Sequence, residues 1–381
     1  MPRSPLADIN PVVFRWLRGS SGWTISDVAK RLNTSDAVIL AIEAGERKPT
    51  LRQLKELTTA FRRPLAAFFL PQPKVEKPLP KDYRMVHPDL KGVFSKKTIL
   101  ALRKARHLQS ISQELSSNTG SLITPTIESV DIKINPLTIS NTYRKKFELT
   151  FEKQKDFSSS YKFFNYLRDI LEDWNILVFQ FSMPVDDARG FIFADDFPVV
   201  IVVNTKDTIE ARIFTLMHEF AHFLLGETVI DIPSLTKTPS TKIEKWCNTF
   251  ASSFLFPKED VKDIFEIYHD TITETNILNR VSRKLKLSKS MILYNLYKYD
   301  FISQNVYNSV LERYQKITSQ ITPSEGGGIP IDRKRLSELG VKFVSLVIDN
   351  FEKQHITYSD ALGYLSIKSK NFNKVLAKAG K

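Results

Sequence analysis

Two histidines four residues apart, with a glutamate directly after the first, lie in the stretch MHEFAHFLLGE at residues 217–227. In a helix, residues four apart project from the same face, so His218 and His222 could bind one Zn²⁺ ion at ~2.0–2.1 Å. Glu219 lies beside that face and could accept a proton from a water molecule at the metal. Because this pattern can also arise by chance on a buried helix, it predicts a zinc-peptidase site only if a third ligand exists.

A candidate third ligand lies on the next predicted helix, residues 242–255, in the stretch TKIEKWCNTFASSFLFP. Glu244 follows the second histidine by 22 residues, which is enough chain for a second helix to run beside the first. Asn248 is four residues further on and shares the face of Glu244, so its amide could orient a ligand. Three alternatives stay open: Glu244 as a solvated carboxylate at a helix start, Cys247 as a ligand instead of a buried small residue, and Glu227 or Asp231, just past the first helix, as weaker ligand candidates.

The stretches ahead of the histidine helix predict a small sheet. NILVFQF, GFIFA and PVVIVVN, between residues 175 and 204, have the length and the β-branched or aromatic content of strands. Before them, SSYKFFNYLRDILEDW has apolar residues at helical spacing. The sheet leads into a helix predicted over residues 208–225, with Asp207 as its N-cap and Gly226 at its end. We expect GFIFA to be an exposed edge strand with which an extended substrate could pair.

The first 70 residues predict a separate bundle of short helices. Asn10 followed by proline is typical of a helix start, Thr24 and Ser35 are further N-caps, and Gly45 is a C-terminal glycine. Two short helices joined by a tight turn indicate a helix-turn-helix, although the spacing also fits other small bundles. The net charge of +13 is compatible with a nucleic-acid partner and equally with solubility, since the basic residues form no single stripe.

The stretch TISDVAKRLNTSDAVILAIEAGERKPTLRQLKELTTAF resembles the XRE-type helix-turn-helix module of bacterial and phage repressors. The shared features are DVAKRL in the first helix, IEAGERKPT after the second, and the LRQL helix that follows. The resemblance implies a DNA interface on the second helix. The groove-facing part of that helix departs from the pattern, because it has no Arg, Lys, Asn or Gln to read bases and its acidic residue would repel phosphate. The candidate DNA-contacting residues are Ser35, Asp36, Ala37, Leu40, Arg47 and Lys48.

The stretch RIFTLMHEFAHFLL, followed by EKWCNTFASSFLFP, resembles the ImmA/IrrE family of bacterial metallopeptidases. The shared features are the histidine motif on one helix and Glu-x-x-(Ala/Cys)-Asn-x-Phe-Ala on the next, which ends in a proline. The stretch GFIFADDFPVVIVVN also resembles the strand pair that precedes the motif in that family. The resemblance implies one Zn²⁺ per chain held by His218, His222 and Glu244, with Glu219 as the general base. It also implies a protein substrate, a helix-turn-helix repressor or an antitoxin-like partner, whose cleavage relieves repression.

These patterns predict an α+β, mostly helical protein with a zincin-like peptidase domain. We expect a helix-turn-helix domain at residues 1–70, a proline-rich linker at 71–94, the metallopeptidase domain at 95–303, and a helical C-terminal region at 304–381. The dense prolines of the linker disfavour regular structure. Within the C-terminal region, SEGGGIP at residues 324–330 predicts a flexible connection, and two helical pairs are expected, one around residues 287–288 and one around residue 366.

The leading hypothesis is a cytoplasmic zinc endopeptidase that acts on a regulatory protein and has no membrane partner. The single cysteine, the lack of a secretory signal and the absence of an apolar run of ~20 residues favour the cytoplasm. The alternative is a DNA-binding transcriptional regulator, or an antitoxin-like protein, whose peptidase domain serves as a partner or sensor module. A third hypothesis is a pure interaction role with a structural zinc, for which Glu219 would be unnecessary.

Overall fold

A computed structural model describes residues 4–74, 81–82, 94–121, 123–227, 229–231, 241–269, 271–318 and 330–378. The chain divides into two compact units, the first made of Met1–Leu79 and Gly92–Lys104 and the second of Pro80–Lys91 and Ala105–Lys381. Among the described residues, no helix combines the length and the apolar character that crossing a membrane requires.

The described part of the first unit contains α1 (Pro11–Ser20), α2 (Ile25–Arg31), α3 (Asp36–Ala44) and α4 (Leu51–Phe61). The predicted helix ends are confirmed: the Asn10 side chain accepts a hydrogen bond from Val12 N, Thr24 forms a capping box, and Gly45 has a left-handed φ of 81°. Ser35 occupies the N-cap position of α3, although its side chain makes no capping hydrogen bond. The helices enclose a core that includes Phe14, Leu17, Val28, Ile39, Ile42, Leu54, Leu57, Phe61 and Phe68.

The second unit contains a sheet formed by β1 (Lys81–Asp82), β2 (Ile176–Phe181), β3 (Gly190–Phe193), β4 (Val199–Asn204) and β5 (Val229–Asp231). Its strand order is β1-β5-β3-β4-β2. β2 and β4 are parallel, β3 is antiparallel to both β4 and β5, and β1 is parallel to β5. The three predicted strands are confirmed as β2, β3 and β4. The expectation that GFIFA is an exposed edge strand is wrong, because β5 pairs with the side of β3 that β4 leaves open.

Every residue of β2, β3 and β4 is buried. Since alternate side chains of a strand point to opposite faces, continuous burial requires cover on both faces of the sheet. On one face, α8 (Ser160–Asp173) packs against β2 and α9 (Ile209–Leu224) packs against β3 and β4, with the two helices also in contact with each other. On the other face, the ring of Phe179 in β2 lies 5.7 Å from that of Phe343. The connection from β3 to β4 is held by α5 (Lys96–Thr119), whose Arg106 makes two hydrogen bonds of 2.7 Å to the carboxylate of Asp195.

The helices that flank the sheet confirm some predicted limits and correct others. α9 is capped by Thr208 and not by the predicted Asp207, since the Thr208 hydroxyl accepts a hydrogen bond from Ala211 N at 3.3 Å. α10 (Lys242–Leu255) has the predicted limits. The composition of residues 116–140, rich in Ser, Thr and Asn, favours a loop. That interpretation is wrong at the end of the stretch, because α6 (Pro136–Lys146) begins there and is followed by α7 (Phe151–Asp156). The side chain of Asn135 caps α6 by accepting from Leu137 N.

The C-terminal part of the second unit is helical, as predicted. The two predicted helical pairs are confirmed, the first as α12 and α13 and the second around the C-cap residue Ser366 of α17. The helices are α11 (Lys258–Tyr268), α12 (Thr275–Leu285), α13 (Lys289–Lys298), α14 (Gln304–Thr318), α15 (Ile331–Leu339), α16 (Val341–Glu352), α17 (Tyr358–Leu365) and α18 (Phe372–Lys378).

Two predicted connections lie largely outside the described residues. Of the proline-rich linker at 71–94, the structure describes residues 71–74, 81–82 and 94. Of SEGGGIP at 324–330, it describes only Pro330. The four-part division of the chain into domains therefore stays a prediction.

Candidate active site and metal centre

The two helices that carry the predicted ligands are held side by side by buried aromatic rings. The ring of Phe220 on α9 lies 6.0 Å from that of Phe250 on α10, measured between centroids. Tyr143 of α6 packs edge-on against both, at 5.3 Å from Phe220 and 6.2 Å from Phe250. Edge-on aromatic contacts are directional, so this packing fixes the rotation of both helices about their axes. The rotation determines which polar residues of α9 face α10.

The predicted ligands His218, His222 and Glu244 come together in the buried space between α9 and α10. The two Nε2 atoms of His218 and His222 are 3.0 Å apart. Glu244 directs one carboxylate oxygen to each ring, Oε2 at 3.3 Å from His218 Nε2 and Oε1 at 3.2 Å from His222 Nε2. Both histidines are fully buried and Glu244 is 4% exposed. Potential ligand atoms of these three buried residues thus lie within 4.8 Å of one another.

This arrangement fits a tetrahedral Zn²⁺ ion. For zinc-ligand bonds of 2.0–2.1 Å, neighbouring ligands of a tetrahedron are separated by ~3.3–3.4 Å. The two histidine nitrogens, 3.0 Å apart, lie within ~0.4 Å of that value, and each has one of the two Glu244 oxygens at 3.2–3.3 Å. Two imidazoles and a carboxylate are also a usual donor set for catalytic zinc, which keeps its fourth position for water or substrate. The residues therefore fit one zinc ion.

Glu244 is placed by the start of its helix. The hydroxyl of Thr241 caps α10 by accepting a hydrogen bond of 3.1 Å from the backbone N–H of Glu244. A carboxylate in the first turn of a helix is stabilised by the helix dipole, which is the role that the sequence alone left open for Glu244. The structure places the same carboxylate against both histidines, so its position serves the ligand cluster as well as the helix end.

Glu219 is fully buried on α9, between the two histidines in sequence. Its carboxylate lies beneath β3, close to the backbone of Gly190 and to the side chain of Thr215 one turn earlier on α9. The carboxylate of Glu244 lies against the histidine rings, whereas that of Glu219 lies close to the backbone of β3. Two carboxylates with different surroundings can take different chemical roles.

The loop before β3 and the start of α9 are anchored by two polar side chains that the sequence reasoning gave no role. Asn204, fully buried at the end of β4, donates to the carbonyls of Met183 and Ala188 and accepts from the backbone N–H groups of Met183 and Lys206. Arg212 donates to the carbonyls of Asp207 and Thr205. A sequence signal for Asn204 exists, because an asparagine that ends a continuous apolar strand is out of place unless it bonds to the backbone.

Arg212 is also affected by its burial. Desolvation lowers the pKa of its guanidinium, and the charges of Tyr161, Asp207 and Glu210 oppose that shift. Tyr161 itself is 60% exposed on α8.

The two remaining candidates on α10 are both buried. Asn248, predicted to orient a ligand, is 5% exposed, and its Oδ1 atom has no hydrogen-bond partner among the described residues. Its role toward a ligand therefore stays a prediction. Cys247 is fully buried within the hydrophobic core of the second unit, as a small apolar residue would be.

The predicted DNA-contacting residues lie at the surface of the first unit. On α3 and its N-cap, Ser35, Asp36, Ala37 and Leu40 are exposed, Leu40 to 51%. Asp36 accepts a hydrogen bond from the hydroxyl of Ser26. Arg47 and Lys48 are exposed after the end of α3, and Lys48 Nζ forms a 2.8 Å ion pair with Asp8. The exposed face of α3 is therefore apolar and acidic, with the cations beside it.

Two family models match this chain, one of a peptidase and one of a helix-turn-helix. Residues 171–297 match the peptidase M78 family model, described as the IrrE N-terminal-like domain, and residues 14–68 match the model described as helix-turn-helix. The chain thus contains an IrrE/ImmA-like peptidase domain and an XRE-type helix-turn-helix domain, which confirms the architecture predicted from the sequence. No curated protein matches the chain.

Proposed function

We propose that this protein is a zinc-dependent endopeptidase that cleaves a helix-turn-helix repressor or an antitoxin-like partner and thereby relieves repression. The observation that carries the proposal is the convergence of His218, His222 and Glu244 within 3.0–3.3 Å of one another, beside a second buried carboxylate, Glu219. A purely structural zinc is usually bound by four protein ligands. Three ligands and a nearby carboxylate suit hydrolysis better.

In this proposal each residue has a defined task. His218, His222 and Glu244 would hold the zinc ion, which when bound polarises the scissile carbonyl and lowers the pKa of a water molecule to ~7. Glu219 accepts the proton that the water loses as its oxygen attacks the carbonyl carbon. Glu219 then transfers this proton to the amide nitrogen as the carbon–nitrogen bond breaks, which gives a carboxylic acid and an amine; the acid's own proton then passes to the amine, so that the products leave as a carboxylate and an ammonium group.

The substrate class rests on the resemblance to ImmA/IrrE peptidases and on the presence of a helix-turn-helix domain in the same chain. A helix-turn-helix domain in the same chain as the peptidase domain suits a protein that acts where regulators bind, because it can recruit the enzyme to them. The sheet adds a constraint on how the substrate is bound, since β3 already has partners on both sides.

The experiment uses the full chain, purified with its candidate repressor or antitoxin-like partner. We expect Glu219→Gln to retain one zinc ion per chain and to lose cleavage, whereas Glu244→Gln loses both zinc and cleavage. The matched control is Glu266→Gln, which changes an exposed carboxylate on α11 that pairs only loosely with Lys262 at 3.6 Å. Unchanged cleavage by Glu219→Gln would refute the mechanism, and full zinc retention by Glu244→Gln would reassign the third ligand.

A DNA-binding regulator is the second candidate function, favoured by the helix-turn-helix match at residues 14–68. The exposed cations Arg47 and Lys48 could contact phosphates, while the exposed face of α3 lacks side chains that read base edges. Such binding would depend steeply on salt and weakly on sequence. Retention of duplex DNA at 50 mM but not at 200 mM salt, reduced by Arg47→Ala, would support it; no retention at low salt would exclude it.

A further inference from the structure

Gly190 is the first residue of β3 and lies directly over the catalytic region of α9. It is buried between β4 and β5, in register with Val203 on one side and Asp231 on the other. Its φ angle is outside the left-handed region that favours glycine. The backbone conformation is therefore one that any residue could adopt, and the need for glycine has another cause.

That cause is the space that a side chain at residue 190 would occupy. A Cβ atom there would lie 2.5 Å from Thr215 Cγ2, 2.8 Å from Glu219 Oε1 and 3.1 Å from the carbonyl oxygen of Val202. Carbon atoms in contact normally stay ~3.5–4.0 Å apart, so the first two distances are not tolerated without movement. The carboxylate of Glu219 thus lies in space that is open only because residue 190 has no side chain.

The three neighbours differ in how easily they can move. The Val202 carbonyl belongs to β4, which is fixed by pairing with β2 and β3. Thr215 is 1% exposed, and a β-branched side chain in a helix has few alternative rotamers. The carboxylate of Glu219 ends a longer side chain with more freely rotating bonds. An added Cβ at residue 190 would therefore displace the Glu219 carboxylate more readily than the other two groups.

We propose that Gly190 is a positioning residue, whose missing side chain sets the place of the Glu219 carboxylate. The inference rests on the proposed function, because it assigns Glu219 the proton-transfer step. Gly190 touches neither the ligand cluster nor a substrate through a side chain. It acts on the reaction only through the carboxylate beneath it, so its substitution affects the rate of the chemical step and leaves zinc binding intact.

The test measures cleavage kinetics of the full-length, zinc-loaded protein. A mixture of internally quenched peptides first selects the best-cleaved sequence, and that single peptide is then used for every variant. For Gly190→Ala we expect kcat to fall about 100-fold, the usual effect of misplacing a catalytic group by ~1 Å. We expect KM to change less than about twofold and zinc content to stay at one per chain, since the ligand atoms lie on α9 and α10.

A second variant separates the two close contacts. Thr215→Ser removes Cγ2, the atom nearest to the added Cβ, and leaves the contact with Glu219 in place. We therefore expect Gly190→Ala to lower kcat by the same factor in the Thr215→Ser variant as in the unmodified protein. If Gly190→Ala alone does not fold, kcat is measured on the double variant, because the close contact between the added Cβ and Thr215 Cγ2 is absent there. The control is Gly363→Ala on α17, where an added Cβ meets nothing within 4 Å.

Two outcomes would overturn the inference. The first is a folded, zinc-loaded Gly190→Ala protein with the kcat of the parent. The second is full recovery of kcat in the double variant, which would assign the defect to packing against Thr215. Failure of the proposed function has a different signature: the unmodified protein would then cleave none of the peptides, or would cleave them equally well after Glu219→Gln.

Discussion

Replacing Gly340 with alanine should destabilise the packing of the C-terminal helices against the rest of the second unit. Gly340 joins α15 to α16 with φ 80° and ψ 157°, a combination that essentially only glycine adopts. An added Cβ would lie 2.0 Å from Glu172 Oε1 and 2.6 Å from Arg168 Nη2. These two residues of α8 form a buried ion pair of 2.9 Å, each 3% exposed. The substitution therefore strains the backbone and disrupts the pair together.

The size of the effect follows from these two causes. Holding a residue other than glycine at such backbone angles costs about 1–3 kcal/mol. Disrupting a buried ion pair costs about 3–5 kcal/mol, because each charge loses its partner without regaining water. Burial raises the pKa of the Glu172 carboxyl, and the charge of Arg168 opposes that shift, so Arg168 favours the ionised form of Glu172. We expect a total loss of about 4–8 kcal/mol in the free energy of unfolding.

Differential scanning calorimetry is the suitable assay, because the chain has two compact units that can melt separately. For a unit of this size each kcal/mol lowers Tm by roughly 2–4 °C, so the transition of the second unit should fall by about 8 °C or more. Gly363→Ala is the matched control, since its glycine sits on a helix with open space around it. A loss below about 1 kcal/mol for Gly340→Ala would refute the reasoning.

Three further predictions concern the support of the site and the pH dependence of stability. Thr241→Ala should weaken zinc binding about 5-fold in a chelator competition, because losing the N-cap that holds Glu244 N costs ~1 kcal/mol; unchanged affinity would contradict it. Asn204→Ala should cost about 3 kcal/mol in urea unfolding, since four backbone groups, three of them in buried hydrogen bonds, lose their partner; a loss under 1 kcal/mol would contradict it. Burial raises the pKa of Asp260 from 3.8 to about 6 despite Arg144, so the folded state binds the extra proton and stability should fall as pH rises from about 4 to 6. Unfolding curves of Asp260→Asn should lack that part of the pH dependence, and parallel pH profiles for the two proteins would contradict the assignment.

Local signals account for most of what the sequence predicted correctly. The two histidines are placed by helical periodicity, and the limits of α10 follow from Thr241 and Pro257 at its ends. The same kind of signal was present but overlooked at Asn135 and Pro136, which begin α6 with the pattern already recognised at Asn10. The surrounding Ser- and Thr-rich composition made that stretch resemble a loop, although the cap and the proline outweigh composition.

The features that could not be predicted from the sequence mostly depend on pairing between distant segments of the chain. The order of the sheet depends on β5, whose three residues follow the histidine helix and pair with β3. Nothing in so short a segment distinguishes a strand from a loop, since the hydrogen bonds that define it are made with a distant partner. The role of Gly190 was hidden for the same reason: its close approach to Glu219 exists only once β3 lies over α9.

A shared side chain shows why the folded peptidase unit extends beyond the segment that matches the family. The match ends at residue 297, but Gln180 on β2 donates from Nε2 to the carbonyl oxygen of Ser337, at 2.8 Å, at the end of α15. The same amide accepts from Arg212 Nη1 at 3.3 Å, and Arg212 also binds the backbone at the start of α9. A single glutamine thus joins the C-terminal helices to the helix that carries the histidines. Because buried amides are costly when unsatisfied, the sequence of β2 is adapted to a partner that lies outside the matched segment.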